Sequence, residues 1–227
     1  MKRTLFTTAL LSFAAIINAQ VFLIDSFTLT ETDGAYGIYA DIDCNEANVF
    51  FFDMQAPKDQ QRVQMKLWGN YIDGFIQSLR SAQKKYQEWS KVAQENNVKL
   101  LSKDVSGASF TDKVVYFTEN DKWYQEKGVD IKCKFIVSSV GSCHLALQTD
   151  YMTSEEVVQH GFSIGSFGSV LGRWNIGMGY SKTSVIRYCG GASLTFSSSE
   201  EIDMFIQKLY DAQQWKKNNK EMGKKFK

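Results

Sequence analysis

One proline, Pro57, stands in the whole chain, and its isolation sets the first limits. With no Pro-rich or low-complexity stretch there is no sign of a flexible linker between separately folded domains. Histidine is nearly as scarce, with only His144 and His160. Neither belongs to H-E-x-x-H, and the four cysteines contain no C-x-x-C, so no metal site and no cofactor are expected. His144 directly follows Cys143, and neighbours on a strand point to opposite faces, which rules out a thiolate–imidazole pair between them. No nucleophile elbow is expected for serine chemistry. The segment Asp41-Ile42-Asp43-Cys44-Asn45 opens like a calcium loop, but Glu46 stands where that loop needs glycine and Phe52 where it needs glutamate.

A field of one sign is missing too. The chain has 26 basic and 25 acidic residues, and loss of Lys2 and Arg3 with a leader would leave 24 against 25. Such a balance offers no whole-protein attraction for nucleic acid. Long apolar runs are also lacking: after the first residues nothing approaches the ~20 apolar positions a spanning helix needs, so no transmembrane segment is expected.

At the start, residues 1–19 combine Lys2 and Arg3, an apolar run from Leu5 to Ile17 and a small residue, Ala19. That is the make-up of a secretory signal peptide. A secreted or periplasmic location follows as the expectation, and with it an oxidising compartment.

The strongest internal signal is a repeat. Ile72–Gln83 (IDGFIQSLRSAQ) returns as Ile202–Gln213 (IDMFIQKLYDAQ), with eight of twelve positions identical. Both copies place apolar residues at the i, i+3, i+4, i+7 spacing of one buried helix face. Upstream, Cys44-x-x-Ala47-x-Val49-x-Phe51 matches Cys189-x-x-Ala192-x-Leu194-x-Phe196. The pattern predicts a duplicated unit of strand, turn, strand, Cys-led turn, strand and helix. Pro57–Tyr71 reads as an added N-terminal piece of the first helix, which would carry a seam from Trp68 to Ala93.

Strands are predicted over Val21–Thr30, Ala35–Asp43 and Ala47–Met54, the first two joined at Asp33-Gly34. Further strands are predicted over Lys113–Thr118, Asp130–Ser138 and Ser142–Thr149. Thr153-Ser154-Glu155-Glu156 and Ser198-Ser199-Glu200-Glu201 both read as capping boxes opening helices, with His160 at the end of the first. Eight of the sixteen glycines lie between Gly161 and Gly191 and read as bends of a twisted sheet, not a phosphate cradle. The lysines from Lys216 to Lys227 read as a solvated helix end.

The expected fold is α+β: an antiparallel β-sheet with two long helices, built from a duplicated strand-meander-plus-helix unit. Its divisions are a signal peptide (1–19), a first repeat (20–97), a β-rich insert (98–160) and a second repeat (161–227) sharing one body with the first. Disulfides are expected, Cys133–Cys143 leading because both lie on adjacent strands, Cys44–Cys189 second. Exposed loop rings Trp123, Tyr124 and Trp174 are the candidate ligand-binding residues; no catalytic residue is singled out. The functional expectation is a non-catalytic protein binding a protein partner, small molecule or glycan through a sheet face or inter-helix groove. The alternative is a secreted hydrolase whose carboxylates the sequence does not locate.

Overall fold

Period-two alternation of apolar and polar residues runs through most of the chain, and it folds as strands wherever one set of side chains finds a common core. The computed structural model describes residues 21–31, 34–41, 49–58, 61–106, 110, 114–167 and 175–225. The expected signal peptide and the turn residue Asp33 lie outside these residues. Among the described residues the elements are β1 (Val21–Thr28), β2 (Ala35–Asp41), β3 (Val49–Met54), β4 (Val63–Trp68), α1 (Ile72–Glu95), β5 (Leu101–Asp104), β6 (Val114–Glu119) and β7 (Lys122–Lys127). They continue with β8 (Ile131–Val137), β9 (Cys143–Thr149), β10 (Met152–Phe167), β11 (Asn175–Cys189), β12 (Ser193–Phe196) and α2 (Ser199–Lys225). The fold is α+β, with antiparallel pairing throughout these sheets.

Three sheets form: one of six strands in the order β1-β2-β3-β4-β6-β7, one of four in the order β12-β9-β8-β5, and a two-stranded ribbon of β10 and β11. The two larger sheets and both helices share one apolar core. The helices cross over: α1 packs on β8 and β9, while α2 packs on β1 and β2. At the centre Phe205 of α2 meets Phe27 at 5.1 Å, Phe52 at 5.3 Å, Phe196 at 5.6 Å and Phe75 of α1 at 6.5 Å between ring centroids. Offset and edge-on ring pairs at these separations add to the burial of each ring.

Several expectations are corrected here. Pro57–Tyr71 is not helix. Val63, Met65 and Leu67 are buried on one side while Gln64 and Lys66 occupy the other, so the segment forms β4 between β3 and β6. Trp68 therefore ends a strand, and the helical seam begins at Ile72. Asn120 and Asp121 both take positive φ, 51° and 60°. Such a two-residue turn closes a tight hairpin, so the following segment returns as β7. Thr153–Glu156 lies in β10, where Thr153–Glu156 stand opposite Tyr188–Val185 of β11 and the Thr153 N–H donates to the Glu126 carboxylate. His160 is likewise on β10, opposite Ser181 and beside a bulge. Lys216 is buried, its ammonium 5.5 Å from the centre of the Phe50 ring, and does not belong to a solvated tail.

The second capping box forms as read. Ser198 Oγ accepts the Glu201 N–H at 3.2 Å, and the Glu201 carboxylate accepts the Ser197 N–H at 2.6 Å.

The duplication is not established by the fold. Phe75 and Phe205, equivalent in the two helix copies, do meet. Their strand settings differ, because β3 pairs with β2 and β4 whereas β12 pairs with β9 and touches the β3 end only through a Gln55–Ser193 bridge. What recurs in space is a four-strand run ending in a helix: β1-β2-β3-β4-α1, then β5-β8-β9-β12-α2. The hairpins β6–β7 and β10–β11 interrupt the second run. The strands of segment 98–160 are accordingly shared between the six-stranded and four-stranded sheets, and β10 crosses the 160/161 boundary.

Candidate functional site

The face of the six-stranded sheet turned away from the helices carries side chains that an apolar core would not select. Residues facing each other across neighbouring strands include Gly37 and Tyr39 on β2, Phe51 and Asp53 on β3, Gln64 and Lys66 on β4, and Tyr116 on β6. Phe51 and Tyr116 pack edge to face at 5.8 Å, and the Lys66 ammonium sits 4.0 Å from the Trp68 ring centre. At one end of this face, where the chain turns from β3 to β4, opens a cleft of about 460 Å³. That lies within the range of small-ligand sites. Tyr39, Asp53, Gln55, Lys58, Gln61 and Arg62 contribute its polar lining.

The floor is built around Asp53. Its carboxylate accepts the Gly37 N–H at 2.8 Å and the Tyr39 hydroxyl at 3.0 Å on one oxygen, and the Gln64 side-chain amide at 2.9 Å on the other. Gly37 is needed for this: a Cβ there would stand 2.4 Å from Tyr39 Cζ, so only glycine lets the ring lie back along its own strand to reach Asp53. Burial, followed by the Asp53 charge and hydrogen bond, pushes the Tyr39 phenol well above its ordinary value, and Arg62 opposes the rise by hydrogen-bonding the same phenol. The phenol thus remains a proton donor to Asp53 and an acceptor from Arg62. Arg62 also lies over the Trp123 ring, 5.8 Å from its centre. Its backbone is pinned to β6, donating N–H to Thr118 Oγ1 at 2.7 Å and accepting the Thr118 N–H at 2.9 Å.

The candidate rings fall differently from expectation. Trp123 and Tyr124 are on β7, not on an exposed loop. Trp123 flanks the cleft through Arg62, whereas Tyr124 is buried against Phe117 and donates its hydroxyl to Glu156 at 3.0 Å. Trp174 and Cys44 lie outside the described residues. Cys133, Cys143 and Cys189 are free thiols. Cys133 stands opposite Leu147 and Cys143 opposite Val137, so the two are offset by four residues, about 13 Å along the strands. That exceeds the reach of a disulfide and corrects the Cys133–Cys143 expectation. Burial raises the Cys133 thiol to about 12 and the Cys189 thiol to about 11, which keeps both protonated and unreactive at neutral pH.

Two arrangements look like hydrolase machinery. Gly161-Phe162-Ser163-Ile164-Gly165 has the G-x-S-x-G spacing, which corrects the expectation that this pattern is absent from the chain. It lies within β10, with Ser163 opposite Gly179, not at the strand-to-helix turn an elbow requires. Elsewhere His144 Nδ1 is 3.2 Å from Ser197 Oγ, and Glu31 Oε1 is 3.3 Å from the same hydroxyl and 3.9 Å from the same ring nitrogen. A triad puts serine and acid on opposite nitrogens of the imidazole, so this cluster is not arranged as a triad.

Carboxylates with displaced titration all move downward among the described residues. Arg187, then Tyr124, hold Glu156 low; Gln83 and Arg80 hold Asp203 low. At Asp25 and Glu201 burial pushes upward but is outweighed, by Lys208 and Ser26 in one case and by Thr30, Ser197 and Ser198 in the other. A general acid requires the opposite displacement. No group of three or more His, Cys, Asp or Glu among the described residues is placed to hold a metal ion.

The inter-helix groove is filled. Phe75 meets Phe205, Arg80 pairs with Asp203, and Gln83 donates to the Ser199 carbonyl and hydroxyl, both at 3.0 Å. Comparison with family models, with curated proteins and with solved structures finds no match to the chain.

Proposed function

We propose that the chain is a secreted or periplasmic non-catalytic binding protein whose ligand occupies the cleft on the outer face of the six-stranded sheet. The observation that carries this reading is the state of Asp53. A carboxylate already receiving three protein hydrogen bonds is spent on fixing Tyr39 and Gln64, and it is poorly placed to move substrate protons. What the cleft offers a ligand is recognition: two cations, Lys58 and Arg62, the Gln55 side-chain amide and the ring edge of Tyr39, while the Gln61 amide is held by the Tyr188 carbonyl and the Cys189 thiol. An amide suits a hydroxyl-rich ligand, and paired cations suit a carboxylate on it. An acidic glycan meets both requirements. The expected export of the chain would place it where such polymers occur.

The test is calorimetric titration with a uronic-acid oligosaccharide and its neutral counterpart. The acidic sugar should bind more tightly, and Lys58→Ala with Arg62→Ala should weaken it by about tenfold or more, the scale of one charge-assisted contact. Binding that is equal for both sugars and indifferent to the two substitutions would exclude the cleft.

A further inference from the structure

The connection from β3 to β4 carries Lys58 and leads into Arg62, and it is fastened to a segment outside the six-stranded sheet. At its start the Gln55 and Ser193 backbones exchange two hydrogen bonds, at 2.8 and 3.0 Å. Further along, Pro57 lies against Gly190, where a Cβ would stand 3.0 Å from Pro57 Cγ. At its end the Gln61 side chain grips two successive residues of β11: its amide nitrogen donates to the Tyr188 carbonyl at 3.3 Å, and its oxygen accepts the Cys189 thiol at 3.6 Å. The Tyr188 N–H donates to Glu119, the last residue of β6, at 3.4 Å. Both backbone groups of this ribbon residue are thus satisfied by side chains of the six-stranded sheet's end, as an unpaired strand edge requires.

Gln61 stands between the two cations of the cleft. Its own N–H donates to the Lys58 carbonyl at 3.0 Å, which ties its place to that of Lys58, and the next residue, Arg62, is pinned through its N–H to Thr118 of β6. Where Gln61 sits therefore decides how the Lys58 backbone stands to that of Arg62. The two groups that grip it are not among the residues lining the cleft. Cys189 is 1 % exposed, and the burial that raises its thiol keeps the hydrogen on sulfur, available to Gln61.

On the reading of the cleft as a ligand site, we infer that Gln61 is its positioning residue: gripped by Tyr188 and Cys189, it sets Lys58 and Arg62 to converge on one ligand carboxylate. Fixing the backbone beneath two long cationic side chains lowers the cost of ordering them around an anion. The base of the β10–β11 ribbon thereby controls the preference for an acidic ligand through residues that do not line the cleft. Hydroxyl contacts made by Gln55 and Tyr39 do not pass through Gln61, so a neutral sugar is much less sensitive to the grip.

Calorimetric titration of the full chain with the uronic-acid oligosaccharide and its neutral counterpart, joined to hydrogen exchange of the ligand-free chain, tests the inference. Gln61→Met keeps the length of the side chain and removes both polar ends; it should lower the preference for the acidic sugar about tenfold, and Cys189→Ala about threefold, the scale of two hydrogen bonds and of one. Cys189→Ser retains a donor and should restore the preference. In the ligand-free chain Gln61→Met should speed exchange over 55–63 and leave α1 and α2 as in the wild type. Unchanged exchange over 55–63, a Cys189→Ser variant no better than Cys189→Ala, or equal loss for both sugars would overturn the inference. A wild type that binds neither sugar, with exchange over 55–63 still quickened by Gln61→Met, would instead remove the ligand reading of the cleft and leave the grip of Gln61 standing.

Discussion

Single residues decide whether the cleft exists. Gly37 is the sharpest case, because a methyl group there collides with the ring that Asp53 must hold. Gly37→Ala is expected to cost about 1–3 kcal/mol, the range for overpacking, and to displace Tyr39; denaturant titration measures the first and the environment of the tyrosine the second. Phe205 plays the same part for the core, being fully buried among four other rings. Its replacement by alanine should cost about 3–5 kcal/mol, against less than about 0.5 kcal/mol for the exposed Lys217. A loss at Phe205 of the size seen for Lys217 would contradict the packing. Glu201 joins two parts of the chain: it receives the Thr30 N–H at 2.7 Å and hydroxyl at 2.6 Å as well as the Ser197 N–H. Its folded pKa is depressed, so its contribution is fully present above the unfolded value of about 4.3 and is lost as pH falls through the folded one. Glu201→Gln should lower stability at pH 7 by about 1–2 kcal/mol, the worth of a helix cap, and flatten the acid limb; an unchanged limb would remove this residue from the account of acid lability.

At the level of elements, the helices were the most legible part of the sequence. Ile72, Phe75, Ile76, Leu79 and Ala82 recur as Ile202, Phe205, Ile206, Leu209 and Ala212, and all ten are buried. The short strands were harder, because β4 and β7 are six residues each and can be told from helix or loop only by their partners. For β7 a signal was present in Asn120-Asp121, which suits a two-residue hairpin turn. Register is what the sequence carried least well. Cys133 and Cys143 do share a face of adjacent strands, but a four-residue offset separates them, and pairing register depends on the turn at Ser138–Ser142. Thiol counting in denaturant without reductant should therefore find both Cys133 and Cys143 free. A Cys133–Cys143 peptide in a non-reducing map would show the β8–β9 register to be wrong.

Across the whole molecule, the helices leave the cleft at one end of the outer sheet face uncovered. Both helices lie against the core side of the sheets and fill the space between them, so the groove between α1 and α2 is occupied by Phe75, Phe205 and the Arg80–Asp203 pair. The cleft was not legible in advance because its members are scattered in sequence: Tyr39, Asp53, Lys58 and Arg62 share no motif, and only the β2–β3–β4 register brings them together. Of the candidate rings among the described residues, Trp123 belongs to that neighbourhood and Tyr124 does not. Among the described residues no helix is long and apolar enough to cross a membrane. The most direct measurement is hydrogen exchange of the chain with and without a bound uronic-acid oligosaccharide. Protection confined to Ala35–Asp41, Val49–Met54 and Val63–Trp68 is the expected result, and protection centred instead on α1 and α2 would contradict a binding site on the sheet face.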